Sequence, residues 1–247
     1  MGGSEDALQK GYDEAVTKGL NNIHLMSGMH ILKVEHLEIK HPMTISGDGR
    51  GKTFVEGGGF KILGEKDKKC TFMDMTIQKM ENNYGLNAYD GMSFHCLRCH
   101  FTQCNGFKTV NVVDTKGRLT DCQITQCMGN GIDSSGFALV EINGKETTID
   151  HNCKYNDKDG INSNYYGIEQ HGKYAQIQIL LPLTLDSISK NNKFVRSSHY
   201  QNKHNNYRIG YGDHKRIIKV KDFSMQNFAE EMSKLKKEVL KKEQLKK

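Results

Sequence analysis

The chain has 247 residues, of which 36% are hydrophobic and 26% charged, with 25 Gly, 2 Pro, 7 Cys and no Trp. The lack of Trp excludes a Trp-lined sugar platform, no apolar stretch reaches membrane-spanning length, and the excess of Gly over Pro points to turns built on positive φ rather than on rigid kinks. The net charge of +6 is modest; half of it falls in residues 221–247, where eight Lys face five acids.

Residues 1–19 predict a capping helix. Ser4 followed by Glu5 and Asp6 suits a helix start. Leu8, Tyr12, Ala15 and Val16 then share one helical face, and Gly19 marks the stop. The opening residues have neither the basic start nor the apolar run of a secretory leader, and Asp6 stands where a myristoylation signal needs Ser or Thr. An odd number of Cys without an export signal predicts reduced thiols in an intracellular setting.

From Ile23 onward, short apolar strands alternate with Gly, Asn and Asp: Ile23 to Leu25, Ile31 to Ile39, Met43 to Gly47, Phe54-Val55 and Phe60 to Ile62. His24, His30, His36 and His41 fall on different turns and strands, so their spacing does not predict a metal site. Gly47-Asp48-Gly49-Arg50-Gly51-Lys52-Thr53 superficially suggests a phosphate loop. Ser46 stands where the first Gly is needed, however, and a strand rather than a helix follows, so a turn between coils is expected.

The most informative stretch comes next. Phe72-x-x-Met75-x-Ile77-x-x-Met80 is followed by Cys96-x-x-Cys99-x-Phe101-x-x-Cys104 and by Leu119-x-x-Cys122-x-Ile124-x-x-Cys127. Gly plus an apolar residue follows each copy, at Gly85-Leu86, Gly106-Phe107 and Gly131-Ile132. A fixed period of 23 to 24 residues is the mark of a solenoid, in which each repeat buries its apolar face against its neighbours. Weaker coils continue through Phe137 to Ile142, Thr147 to Asn152, Gly160-Ile161 and Ile177 to Leu181. Roughly seven coils at ~4.8 Å per coil would give a rod of about 35 Å.

The period places Cys99 under Cys122 and Cys104 under Cys127, with Asn152 continuing the second column. Cys96-Leu97-Arg98-Cys99-His100 matches a haem attachment motif in letters only, since the repeat already explains both Cys. Parallel Cβ vectors one coil apart suit packed thiols better than disulfides. A flat column also lacks the convergence that tetrahedral zinc requires. Asp157 to Asn162 begins like a calcium loop, but Ile168 stands where its distal Glu belongs.

Residues 191–220 are rich in Asn, Lys, His and Tyr and read as a polar linker or a wrapped strand. Residues 221–247 predict a basic amphipathic helical tail. Phe228, Met232, Leu235 and Val239 form its apolar stripe, a docking face for a partner.

The period of about 23, with interior positions three, two and three residues apart, resembles the right-handed parallel β-helices of the pectate-lyase-like superfamily, as does the stretch Met43 to Thr53. The resemblance covers residues 20–190 and extends to short stand-alone members in algae and large DNA viruses. It implies an all-β, right-handed parallel β-helix with an N-terminal capping helix and a C-terminal amphipathic helix. Hydrolases of that superfamily carry acidic and Gly-His-Gly motifs that are not intact here. Its lyases use calcium-binding acids and an Arg base on one face, and only Asp74, Arg98 and Asp121, each preceding a ladder position in consecutive coils, could play those parts. The plainer reading of that column is a cross-coil charge ladder.

Fold alone does not give function. The expectation is a non-catalytic scaffold or interaction protein, engaging a protein partner or itself through faces, edges and tail, as in a virus particle, with no cofactor and no metal. The alternative is a lyase-like enzyme or binder of uronic-acid polymers, for which calcium would be needed. The basic tail also allows salt-dependent association with RNA or a membrane surface, but no nucleic-acid reader motif is present.

Overall fold

A computed structural model describes residues 7–80, 84–154, 165–171, 174–192 and 207–209. They form a parallel β-solenoid closed at one end by a helix. Three faces succeed one another along each coil. The first is a seven-stranded sheet of β1 (Asn22–Leu25), β3 (Thr44–Gly47), β5 (Lys69–Met73), β8 (Ser93–Leu97), β11 (Lys116–Thr120), β14 (Leu139–Asn143) and β17 (Gln176–Ile179). The second stacks β2 (Gly28–Ile39), β4 (Thr53–Ile62), β6 (Thr76–Met80), β9 (His100–Thr102), β12 (Gln123–Thr125), β15 (Thr148–Asp150) and β18 (Ser189–Lys190). The third continues from the second half of β4 through β7 (Leu86–Tyr89), β10 (Lys108–Val113), β13 (Asn130–Ser135), β16 (Ile168–Gln170) and β19 (Tyr207–Ile209). Every pairing in register is parallel, as between Ile77 and Phe101 or Phe101 and Ile124.

The corners explain how such short strands stack. Asp74, Arg98 and Asp121 hold positive φ at the first corner, Lys79, Gln103, Gln126 and His151 at the second, and Asp90 and Asp114 at the third. A left-handed residue costs about 1–2 kcal/mol when it is not Gly. Here it turns the chain within one residue and keeps its N–H in the ladder: Arg98 N–H donates to Thr120 O at 2.9 Å and Asp90 N–H to Val113 O at 2.9 Å. Turn composition predicts Gly, Asn or Asp at such positions. The structure also places Arg, Lys, Gln and His there, because the cross-coil bonds fix the conformation whatever the side chain.

Inside, the expected columns are present. Cys99 lies against Cys122 and Cys104 against Cys127, and all seven Cys are buried free thiols. Asn152 continues the second column: its Oδ1 accepts from Cys127 N–H at 3.1 Å, and its own N–H donates to Asn192 Oδ1 at 3.0 Å. One alignment differs from expectation. Val110, not Phe107, pairs with Leu86 and Ile132, while Phe107 is exposed, because Val110 follows Phe101 by nine residues, as Leu86 follows Ile77, whereas Phe107 follows it by only six.

Helix α1 (Ala7–Thr17) buries Leu8, Tyr12 and Ala15, the face the sequence predicts, and Tyr12 Oη accepts from Lys40 N–H at 2.9 Å. It stops at Gly19 (φ 65°), where Gly19 N–H donates to Val16 O and Leu20 N–H to Ala15 O, a Schellman closure. Among the described residues no helix is long and apolar enough to cross a membrane. Phe228, Met232, Leu235 and Val239, and with them the predicted tail helix, lie outside the described residues, as does the loop from Asp157 to Asn162.

Candidate functional site

Three surface regions carry chemistry. The first is the predicted corner column. Arg98 makes a fork to Asp74, with Nε donating to Oδ1 at 2.6 Å and Nη2 to Oδ2 at 2.7 Å. Asp121 is occupied differently: its Oδ1 accepts from Glu146 N–H at 3.1 Å, and its backbone carbonyl accepts from Arg50 Nη1 at 3.2 Å. Arg50 in turn pairs with Glu146 at 2.7 Å. The three residues do line up, with Arg98 and Asp74 interlocked across coils and Asp121 bonded instead to Glu146 and Arg50. The hydrogen bonds it donates to Asp74 push the Arg98 guanidinium further up from its already high value, the opposite of what a proton-abstracting base needs. Residues 47–53 form a turn: Asp48 accepts from Ser27 N–H at 2.7 Å and from Ser27 Oγ at 2.8 Å, and it pairs with His24.

The second region lies on the outer side of the third sheet. There Asn87, Asn111, Asp133 and Glu169 occupy one register column. Because side chains alternate along a strand, His171, two residues after Glu169, comes to the same side. Its Nε2 lies 3.1 Å from Asp133 Oδ2 and 3.2 Å from Glu169 Oε2. Lys108 Nζ donates to Asp133 Oδ1 at 2.9 Å. Asn130 Nδ2 donates to Glu169 Oε2 at 2.5 Å and to Asp133 Oδ2 at 3.2 Å, while its Oδ1 accepts from Tyr166 N–H at 2.6 Å. The Asp133 side chain is fully buried and that of Glu169 nearly so, whereas His171 keeps 46% exposure.

The electrostatics follow from this geometry. Hydrogen bonds to Asp133 and Glu169 hold the His171 imidazole at about 9, against the opposing effect of burial. Burial pushes the Asp133 carboxyl up, but the His171 hydrogen bond and the nearby Lys108 charge outweigh it and bring the group below its usual value. This grouping was not among the predicted site residues.

The third region is the outer end of the first coil, beside α1. Among the described strands β2 pairs only with β4, at the outer end of the stack. Five of the eight large apolar residues exposed in the described structure, Leu20, Met26, Met29, Ile31 and Val34, lie here. A bulge between Leu32 and His36 sits directly on Gly57 and Gly58, where an added Cβ would stand 2.3 Å from Leu32 O and 1.9 Å from Val34 O. An open cleft of about 470 Å³ between α1 and β2 is lined by Tyr12, Asp13, Val16, His36, Glu38 and Lys40, among others. His36 Nε2 is buried without a hydrogen-bond partner, and burial holds its imidazole below the usual value.

Compared with known proteins, the chain matches no family model, no curated protein and no solved structure. The fold rests on its own register, and the function on the surfaces just described.

Proposed function

We propose that this chain is a non-catalytic β-solenoid that binds an extended segment of a protein partner along the β2 side of its first coil. The observation that carries this reading is the concentration of exposed apolar side chains on β2 and the turn before it, on a strand that pairs only with β4 among the described strands. End strands of a sheet are templates for strand addition, and Met29 and Ile31, two residues apart, supply one-sided apolar contacts for alternate side chains of an added strand. The partnerless His36 nitrogen offers a polar contact on that side. An enzyme reading is less well supported, because Arg98 and Asp74 are locked together and Asp121 is engaged by backbone.

The right-handed hand, kinship with stand-alone pectate-lyase-like β-helices, and a place inside a cell or virus particle belong to this proposal. The strong preference of parallel crossovers for the right hand supports the first, the 23-residue period the kinship and with it the virus particle, and seven free thiols the intracellular place. The test is affinity purification of the full chain from its native source, wild type against Ile31→Lys, with circular dichroism as the folding control. A stoichiometric protein partner present with wild type and lost with Ile31→Lys is expected. Equal recovery with both chains, or breakdown of an acidic polysaccharide by the pure protein, would overturn the reading.

A further inference from the structure

We infer that Asp133, Glu169 and His171 form a binding site for one divalent transition-metal ion of the zinc type, on the third sheet and separate from the partner-binding side. One ligand atom from each residue lies within 4.8 Å of the other two, and two of the three separations are 3.1 and 3.2 Å. Ligands about 2.0–2.1 Å from a tetrahedral zinc ion stand about 3.3 Å apart. Two edges of the polyhedron are therefore already close to length, and the third, between Asp133 and Glu169, is no longer than 4.8 Å.

The donor set decides the ion. One imidazole with two carboxylates suits a borderline ion, whereas calcium takes six to eight oxygens and magnesium keeps most of its water. This is also not the calcium that a lyase reading would require at Asp74 and Asp121.

The surroundings are those of a built site. Lys108 occupies Asp133 Oδ1 and so leaves Oδ2 to the cluster, and Asn130, itself fixed by Tyr166 N–H, donates to the same Asp133 Oδ2 and Glu169 Oε2 that face His171, holding the two oxygens together. Such outer contacts orient metal ligands. The half-exposed His171 leaves a path to solvent, the source of a water as fourth ligand. On binding, the Nε2 proton leaves to solvent and the nitrogen lone pair turns to the ion. Strand pairing brings Asp133 and Glu169 side by side, so the two acids are in place before any ion arrives.

The test uses the full chain after treatment with a chelator, titrated with Zn²⁺ alone by calorimetry and with Co²⁺ alone by visible absorption. One ion per chain is expected, with a tetrahedral cobalt spectrum that lacks a thiolate charge-transfer band. His171→Ala should weaken binding by at least about 10-fold, and Asp133→Asn likewise. If Asp133→Asn fails to fold, the half-exposed His171 position decides the matter alone. No stoichiometric binding, binding unchanged in His171→Ala, or a thiolate band placing the ion on Cys would each overturn the inference. Partner capture does not enter these readouts, so the two proposals fail separately.

Discussion

Two charged groupings lie on the outside of this solenoid, and they are built on different plans. At the first corner, Asp74, Arg98 and Asp121 follow one another at single-coil intervals, each acid already held by a partner: a guanidinium fork for Asp74, a backbone N–H for Asp121. On the third sheet, Asp133 and Glu169 face the same imidazole, and Asp133 has no exposed side-chain surface at all. In the first grouping charge is cancelled along a column, which adds stiffness and leaves little to react. In the second, two carboxylates converge on one point, where their charge can be met by a proton on His171 or by a metal ion.

If that contrast is right, the two groupings should respond very differently to the loss of one acid. Asp133→Asn strands Lys108 and His171 beside a neutral amide in a buried setting and should cost about 2–4 kcal/mol, read from urea melts. A loss under about 1 kcal/mol would mean that the third-sheet network does not form.

The pH dependence sharpens the same contrast in chelator-treated protein. His171 has a folded value of about 9, above its unfolded value of about 6.5. Its stabilisation is therefore complete below about pH 6.5 and disappears as pH rises through about 9. Since the ring is half-exposed, screening reduces the effect to about 1 kcal/mol, or about 2–4 °C in Tm for a chain of this size. His171→Gln should flatten the melting temperature over that window, and an unchanged slope in the variant would assign the titration to another group.

The smallest effect belongs to the corner. Asp74→Asn, which keeps a residue type tolerant of the left-handed backbone, should cost less than about 1 kcal/mol and less still at high salt. A larger loss, insensitive to salt, would show that the corner ladder bears more of the fold than its exposure suggests.

The two groupings also differ in how readily the sequence discloses them. The corner column repeats with the solenoid, at 24 and 23 residues, and sits beside the ladder positions Met75, Cys99 and Cys122, so period alone aligns it. The same logic finds the thiol columns, Asn152 and the buried face of α1. Asp133 and Glu169 are 36 residues apart, because the chain between β13 and β16 is longer than one regular coil, and a fixed period passes over them. A fainter signal was present: Gly85-Leu86-Asn87, Gly131-Ile132-Asp133 and Gly167-Ile168-Glu169 share a Gly-apolar-polar pattern, and each places its polar residue on the outer side of the third sheet. Aligning Gly106-Phe107 with the first two obscured it, since Val110 holds that place. The corners at Lys79, Gln103, Gln126 and His151 were illegible for another reason: nothing in those side chains asks for positive φ, and only the neighbouring coils impose it.

Both groupings depend on coils that stack with the thiols turned inward, and that can be measured directly. Burial pushes Cys70, Cys99, Cys122 and Cys153 above the usual thiol range, and a buried, protonated thiol is a poor nucleophile. Alkylation of the native chain at mild alkaline pH, read by intact-mass spectrometry, should add no label over hours, whereas denaturant should expose all 7 sites. Rapid labelling of Cys99, Cys104, Cys122 or Cys127 in the folded chain would contradict the stacked interior and, with it, the placement of every surface residue discussed above.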